Sequence, residues 1–439
     1  MREITTSGAS PTSQIQKFYG WKNVGFLFGV YLLSLGAVYY GFNVIFPEMV
    51  KTQGWSRGDA SWAQTLRGLL MGFTAPLIAI ALNRFGAQRT MAAGLSLLIV
   101  GCLLLATVTR ELWQWTLIWG VIMATGFAFG GLLPVQTTIT HWFDNKRATA
   151  LGLVMSAAGV GGFVAQPFYT WIIDYFGSWQ SSWYFSAGFA FIGSLLLLGL
   201  VNKPEDIGQH PDGEDRSNPS TVAQRPPPKT YKTQDDWSLP DAIRTRALWF
   251  IIILFLAQVM PLWLMIVHGV LHLTDLAFSK MEAASVLSFM VAGSAFARFP
   301  VGWLGDRIEP RRIVFVLALC SIFGLTIIWQ APTVAWLLIA GPMFGVAYGG
   351  VVVMLPTMIA NYYGRASFAT INGFIFPVQI VFAALLPVVA GYLADIEGHY
   401  DSSFIFVIIL VGLSALCALG ATPPRKKSGA GTVNQTDTD

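Results

Sequence analysis

The stretch DYFGSWQSSWYF at residues 174–185 returns at residues 395–406 as DIEGHYDSSFIF. In each copy an aspartate (Asp174, Asp395) is followed at identical spacing by a glycine (Gly177, Gly398) and an aromatic (Trp179, Tyr400). Paired serines come next (Ser181-Ser182, Ser402-Ser403), then an aromatic (Trp183, Phe404) and a phenylalanine (Phe185, Phe406). Two other pairs share the offset of about 220 residues, in the same order and orientation. Asn83-Arg84, followed by Arg89, matches Asp306-Arg307, followed by Arg312; Trp142-Phe143 matches Tyr362-Tyr363. One such match can arise by chance, but three at a common offset mark a duplication. The chain is two similar halves in parallel order.

Between these markers the sequence is strongly apolar. Hydrophobic residues make up 54% of the 439 and charged residues only 11%, against roughly 25% charged in a soluble domain, and mean hydropathy is +0.58. Such a chain cannot cover itself with polar groups, so lipid must be much of its solvent. About 20 apolar residues cross the hydrocarbon core as a helix. Twelve stretches qualify: 23–47, 62–82, 89–108, 113–142, 148–173, 183–201, 247–271, 282–304, 312–331, 333–361, 367–394 and 403–421. The predicted fold is all-α: twelve transmembrane helices in two parallel six-helix repeats, a plan used by one large class of secondary transporters.

The expected domains are a first bundle over 1–201, a linker over 202–246, a second bundle over 247–421 and a disordered tail over 422–439. The linker carries Asn218-Pro219, Pro226-Pro227-Pro228 and charges of both signs, the composition of a solvated segment. From Leu239 into Leu248 it can form a short amphipathic helix on the membrane surface. With the N-terminus inside, inner segments hold 21 Lys and Arg. Outer ones hold Lys51, Arg57, Arg110 and Lys280, and Arg67 and Arg298 fall within helices. That asymmetry predicts cytoplasmic termini and a cytoplasmic linker in a multi-pass plasma-membrane protein.

Several classes are excluded. The net charge of +4 comes from short loops, not a basic stripe, so no nucleic-acid partner is expected. Cys102, Cys320 and Cys417 lie in apolar runs without paired spacing and read as core residues. His268 and His272, one turn apart, lack a third ligand; neither metal nor cofactor is expected. No Walker loop, HExxH motif or nucleophile elbow is present, so an enzyme is not expected. The polar start and long first apolar run do not read as a cleaved signal. A receptor would carry a folded cytoplasmic domain, for which the linker is too short and polar.

These features resemble the major facilitator superfamily over nearly the whole chain. Its signature loop between helices 2 and 3 is similar to Asn83-Arg84-Phe85-Gly86-Ala87-Gln88-Arg89, with Asn83 where the family usually has Asp; the second copy reads Gly302-Trp303-Leu304-Gly305-Asp306-Arg307 and then Arg311-Arg312. The resemblance implies a gating latch, in which Asp306 pairs with arginines and a neighbouring helix terminus. The latch set is Asp306, Arg307, Arg312, Asn83 and Arg84. Within the superfamily the chain most resembles monocarboxylate transporters and their bacterial relatives, including oxalate–formate exchangers. Phe18-Tyr19-Gly20-Trp21, Gly54-Trp55-Ser56-Arg57, Ser294-Ala295-Phe296-Ala297-Arg298, Lys203 to Gly208 and Gly398-His399-Tyr400-Asp401 carry that likeness. It implies a carrier of small carboxylates by exchange or proton-linked symport, expected to be a monomer in the bilayer, with protons left open as a coupling partner. The alternative is an exporter of hydrophobic drugs or metabolites.

Arg298 is the sharpest residue. It lies about 9 Å inside the eighth stretch at 1.5 Å per residue, cannot lose its proton in practice, and costs several kcal/mol to bury. No Asp or Glu lies deep within any stretch, so a substrate carboxylate is the natural partner, against an arginine that snorkels or caps carbonyls. Ser294, one turn away, can hydrogen-bond but not titrate; the resemblance sets an Asp there in eukaryotic relatives. The family's helix 1 lysine is also absent, where the aligned region reads Tyr39-Tyr40-Gly41-Phe42-Asn43. The expected substrate-binding set is Arg298, Ser294, Tyr348, Asn43, Tyr39 and Arg67. Arg67 can instead snorkel to the outer headgroups, and Tyr348, among Gly345, Gly349 and Gly350, can instead join helices. Gln136, Gln166, Gln258, Gln379 and Asn372 read as interhelical polar contacts.

Overall fold

The computed structural model describes residues 17–55, 57–214, 229–235 and 237–426. Asn218-Pro219, Pro226-Pro227-Pro228, Ser56 and the tail from residue 427 lie outside the described residues. Among those described the chain is helical, without strands.

We label the spans α1 (Gly20–Gln53), α2 (57–85), α3 (87–107), α4 (Leu112–Trp142), α5 (Arg147–Phe176), α6 (Trp179–Gly199), α7 (Arg246–Asp275), α8 (Lys280–Gly305), α9 (Pro310–Gln330), α10 (Val334–Tyr363), α11 (Phe368–Glu397) and α12 (Asp401–Gly420). Among the described residues, eleven continuous helices are long and apolar enough to span a membrane. The twelfth span emerges because the helix over Ala75–Thr107 breaks at Gly86, where φ is 79° and ψ 170°. That conformation suits glycine, and it ends α2 and begins α3. The spans start earlier or run later than the apolar stretches, since polar terminal turns carry no hydropathy signal. The surface helix expected from Leu239 into Leu248 forms only over Leu239–Ile243, where the Ser238 hydroxyl caps the Asp241 N–H; the chain turns at Arg244 and enters α7.

The duplication is visible locally. α5 and α11 both end on a left-handed glycine, Gly177 and Gly398, and α6 and α12 follow at once. The first half carries irregularities absent from its counterpart. α1 is π-helical over Leu32–Tyr39 and α4 over Ile118–Met123. π-turns are rare and frequent at functional sites.

The halves meet closely along α5 and α8. A Cβ on Gly152 would collide with the Arg298 carbonyl oxygen, and one on Gly302 with the Ala148 carbonyl oxygen. Small residues let membrane helices approach to backbone contact. Polar pairs join the halves as well: Asn372 donates to Gln136 at 2.9 Å, and Arg147 to Asn361 at 2.8 Å. Among the described residues, hydrogen bonds between the halves run from Arg298 to the face bearing the linker. The molecule is closed on that linker face.

Candidate functional site

Arg298 projects from α8 about 10 Å inside its linker-side end and is 9% exposed. Its Nη1 donates to the Met155 carbonyl of α5 at 2.6 Å, while Nε is buried with no hydrogen-bond partner. Tyr40, Tyr31 and Tyr348 are close enough to the guanidinium to interact with it electrostatically. One turn earlier, the Ser294 hydroxyl is also buried and without a partner. Buried polar groups are nearly always hydrogen-bonded, so two unsatisfied ones on one helix face need a reason. No ion pair forms at Arg298 among the described residues.

Arg67 occupies a second site. It is 6% exposed and does not snorkel. Nε donates to Gln64 at 2.7 Å and Nη2 to the Tyr39 hydroxyl at 3.1 Å; the guanidinium lies 4.5 Å from the Tyr39 ring and 5.8 Å from that of Trp119. Tyr39 closes the π-turn of α1, and Trp119 sits in that of α4, where its indole donates to Gln64 at 2.8 Å. The two π-turns thus deliver both rings to one cation. Cation–π contacts of this kind contribute about 0.5–2 kcal/mol. Neutral groups hold Arg67.

Of the residues expected at the substrate, Arg298, Ser294 and Tyr348 come together, while Tyr39 is held by Arg67 at the second site. Asn43 is exposed on α1, and no hydrogen bond joins it to Arg298. Tyr31, Tyr40 and Met155 were not foreseen. Tyr31 precedes the π-turn and Tyr40 follows it, so regular helical spacing does not put them on one face.

At the linker face, Asp306 accepts from the backbone N–H groups of Ala148 at 2.8 Å and Thr149 at 2.9 Å. An acid of one half thus caps α5 of the other, where free N–H groups and the helix dipole favour negative charge. The arginine part of the expected latch is corrected. Arg307 turns back to donate to the Trp303 carbonyl at 2.9 Å and stacks 3.7 Å from its ring. Arg84 lies over Phe85, and Arg312 is exposed. The buried cation of this face is Arg147, which sequence reasoning passed over as topogenic. It bonds Asp144 at 2.7 Å, Asn361 and the Phe143 carbonyl. The linker is stitched to the same face: Asp212 accepts from the N–H groups of Asp144 and Asn145, Lys232 donates to Asn145, and Ser367 to the Trp237 carbonyl.

Gln258, His268 and His272 make their contacts within the second half. Gln258 accepts from Ser321. His268 lies between Tyr400 and the Pro387 carbonyl, and His272 reaches the Ile328 carbonyl. No metal-ligand cluster occurs among the described residues.

Twelve helices in two repeats, meeting around a buried cation, define a membrane transporter of small solutes. The family model described as Major Facilitator Superfamily matches residues 27–379 and 270–436, and the chain belongs to that superfamily. It is similar to human monocarboxylate transporter 2, with 27% identity over 413 residues covering 87% of this chain and 81% of the relative. It is also similar to monocarboxylate transporter 13 of Bos taurus, with 23% identity over 409 residues covering 91% and 89%. Among solved structures, the fucose:proton symporter of E. coli aligns with a TM-score of 0.67 at 14% identity, covering 92% of this chain and 99% of that one. The human organic anion transporter MFSD10 aligns with a TM-score of 0.69 at 15% identity, covering 91% and 99%. At such identities the structures speak for the fold alone.

Proposed function

We propose that this chain carries small organic anions, monocarboxylates foremost, by alternating access between its two halves, with Arg298 as the partner of the substrate carboxylate. The observation that carries the reading is the pair of unsatisfied buried groups, Arg298 Nε and Ser294 Oγ, one turn apart on α8. A carboxylate has two oxygens: one can accept from Nε in a charge-assisted bond, the other from the serine hydroxyl. Tyr40, Tyr31 and Tyr348 add hydroxyl donors around the same guanidinium. The similarity to proteins named monocarboxylate transporters supports the same class. A buried cation also disfavours cationic substrates and weakens the case for a hydrophobic-drug exporter.

The linker face is assigned to the cytoplasm, supported by the Lys and Arg asymmetry. Asp306 and Asn83 are assigned to the gate that holds this face closed, supported by their bonds across the halves.

The test is uptake of labelled monocarboxylates into proteoliposomes. Arg298→Ala is expected to abolish uptake while the protein stays folded, because the variant removes a buried charge. Arg298→Lys keeps the charge but loses the planar fork, and is expected to bind roughly ten-fold or more weakly. Wild-type uptake by Arg298→Ala would overturn the assignment.

A further inference from the structure

Outside the transport pathway, the turn between α8 and α9 lines an open cleft of about 440 Å³ on the linker face. Four cations line it: Lys229, Arg307, Arg311 and Arg312. Its carboxylate, Glu309, is already engaged by the Tyr231 N–H at 3.1 Å and the Tyr362 hydroxyl. Among the described residues no ion pair forms at any of the four cations. Arg311 spends Nη1 on the Leu419 carbonyl, and its Nε is buried without a partner. A neighbouring cleft of about 410 Å³ shares Lys229 and Arg307 and adds Lys146. Trp303 and Ile308, both more than 40% exposed, flank this ground, an aromatic and aliphatic rim suited to the headgroup level of a bilayer.

We propose that this cleft is a phosphate site whose ligand is the dianionic phosphate monoester headgroup of an acidic lipid. Lys229, Arg307 and Arg312 are exposed and Arg311 is half-buried, so four cations against the single carboxylate of Glu309 leave the cleft with a net positive charge open to an approaching anion. Guanidinium forks pair with phosphate oxygens in parallel charge-assisted bonds, and acidic lipids concentrate beside basic segments at a membrane face. The cleft adjoins Asp306, whose side chain lines its neighbour. Occupancy would therefore tie the α8–α9 turn down beside the gate and favour the closed linker face. The inference is independent of Arg298 and of the identity of the transported anion.

The experiment uses the full chain in nanodiscs of phosphatidylcholine alone, or supplemented with phosphatidic acid or phosphatidylglycerol. Retained lipid is read by native mass spectrometry. Wild type is expected to retain phosphatidic acid over both others. The double variant Lys229→Gln/Arg311→Gln is expected to lose roughly ten-fold of that retention, and Arg311→Lys, which keeps the charge and reports on folding, to recover part of it. A second arm adds inorganic phosphate: failure to displace the lipid supports the headgroup as ligand, while displacement with thermal protection supports a soluble phosphate at the same site. Equal retention of phosphatidylglycerol, or no preference over phosphatidylcholine together with no protection by phosphate, would overturn the proposal.

Discussion

Asn83 donates its side-chain N–H to the Thr370 hydroxyl at 3.1 Å, joining α2 of the first half to α11 of the second. Asp306 and Thr149 are their counterparts in the duplication, and there the carboxylate takes the Thr149 backbone N–H at 2.9 Å. The two contacts are related by the internal repeat and differ in charge and burial. Asn83 is exposed, so an acid there loses little hydration. Asn83→Asp is therefore expected to cap the start of α11, worth about 0.5–2 kcal/mol, and to shift the closed population roughly two- to thirty-fold. Cysteine accessibility of the inner cavity from the linker side should fall, and turnover should slow. Unchanged accessibility would count against a gate at this position.

Asp306 is the opposite case. Burial, the largest influence, raises its pKa above the ordinary 3.8, and the bonds from Thr149 and Ala148 only partly offset this. Opening the linker face rehydrates the carboxyl and returns it toward its ordinary value. The closed state then binds the proton more tightly, so acid on the linker side favours closure. The advantage is complete below the ordinary value and is lost as pH rises through the raised one. Asp306→Asn is expected to flatten this pH dependence of accessibility. Asp212 is also raised by burial and acts with the same sign, so Asp212→Asn must be measured beside it. A pH profile identical in wild type and Asp306→Asn removes Asp306 as the titrating group.

Backbone contact offers a test that needs no charge. Gly345 faces the Met290 carbonyl oxygen within the second half, whereas Gly152 faces that of Arg298 across the halves. An alanine at either site overpacks by about 1–3 kcal/mol. Gly345→Ala has no escape and should lower thermal stability. Gly152→Ala can relieve its clash by parting the halves, so it should lose less stability and raise linker-side accessibility. Equal loss of stability with unchanged accessibility would mean that the α5–α8 seam does not open as a unit.

The extent to which these features were legible varies with their physical basis. Spans, repeat and linker follow from hydropathy and identical spacing, both local properties. Asp306 was legible because it stands in a short motif at a helix end, and Arg298 because a buried cation is costly wherever it sits. The partners of Arg67 were hidden. Tyr39 and Trp119 reach it from two π-turns, and no propensity in Leu32–Tyr39 or Ile118–Met123 announces a change of helical pitch. Arg147 was hidden for another reason: in sequence it looks like any loop-end arginine, and its burial comes from Asn361, 214 residues away.

The energetics of the empty carrier give the last prediction. Arg298 is a cation with no acidic partner among the described residues, and Ser294 has no proton to trade for it. In the closed molecule the guanidinium donates to the Met155 carbonyl, with Nε unsatisfied. To reorient empty, the protein must seal this cation without a counter-ion, at a cost of several kcal/mol. With a carboxylate bound the charge is neutralised and both buried groups are satisfied. Loaded reorientation should then be faster by roughly ten-fold or more, since each 1.4 kcal/mol is a factor of ten. The expected behaviour is exchange: efflux of preloaded labelled anion from proteoliposomes should rise about ten-fold when unlabelled anion is added outside, and depend weakly on a pH gradient. Efflux indifferent to outside anion but steeply driven by the pH gradient would show that a proton accompanies the substrate. In that outcome Arg298 remains the carboxylate partner, but the barrier to empty reorientation falls, and the coupling is symport.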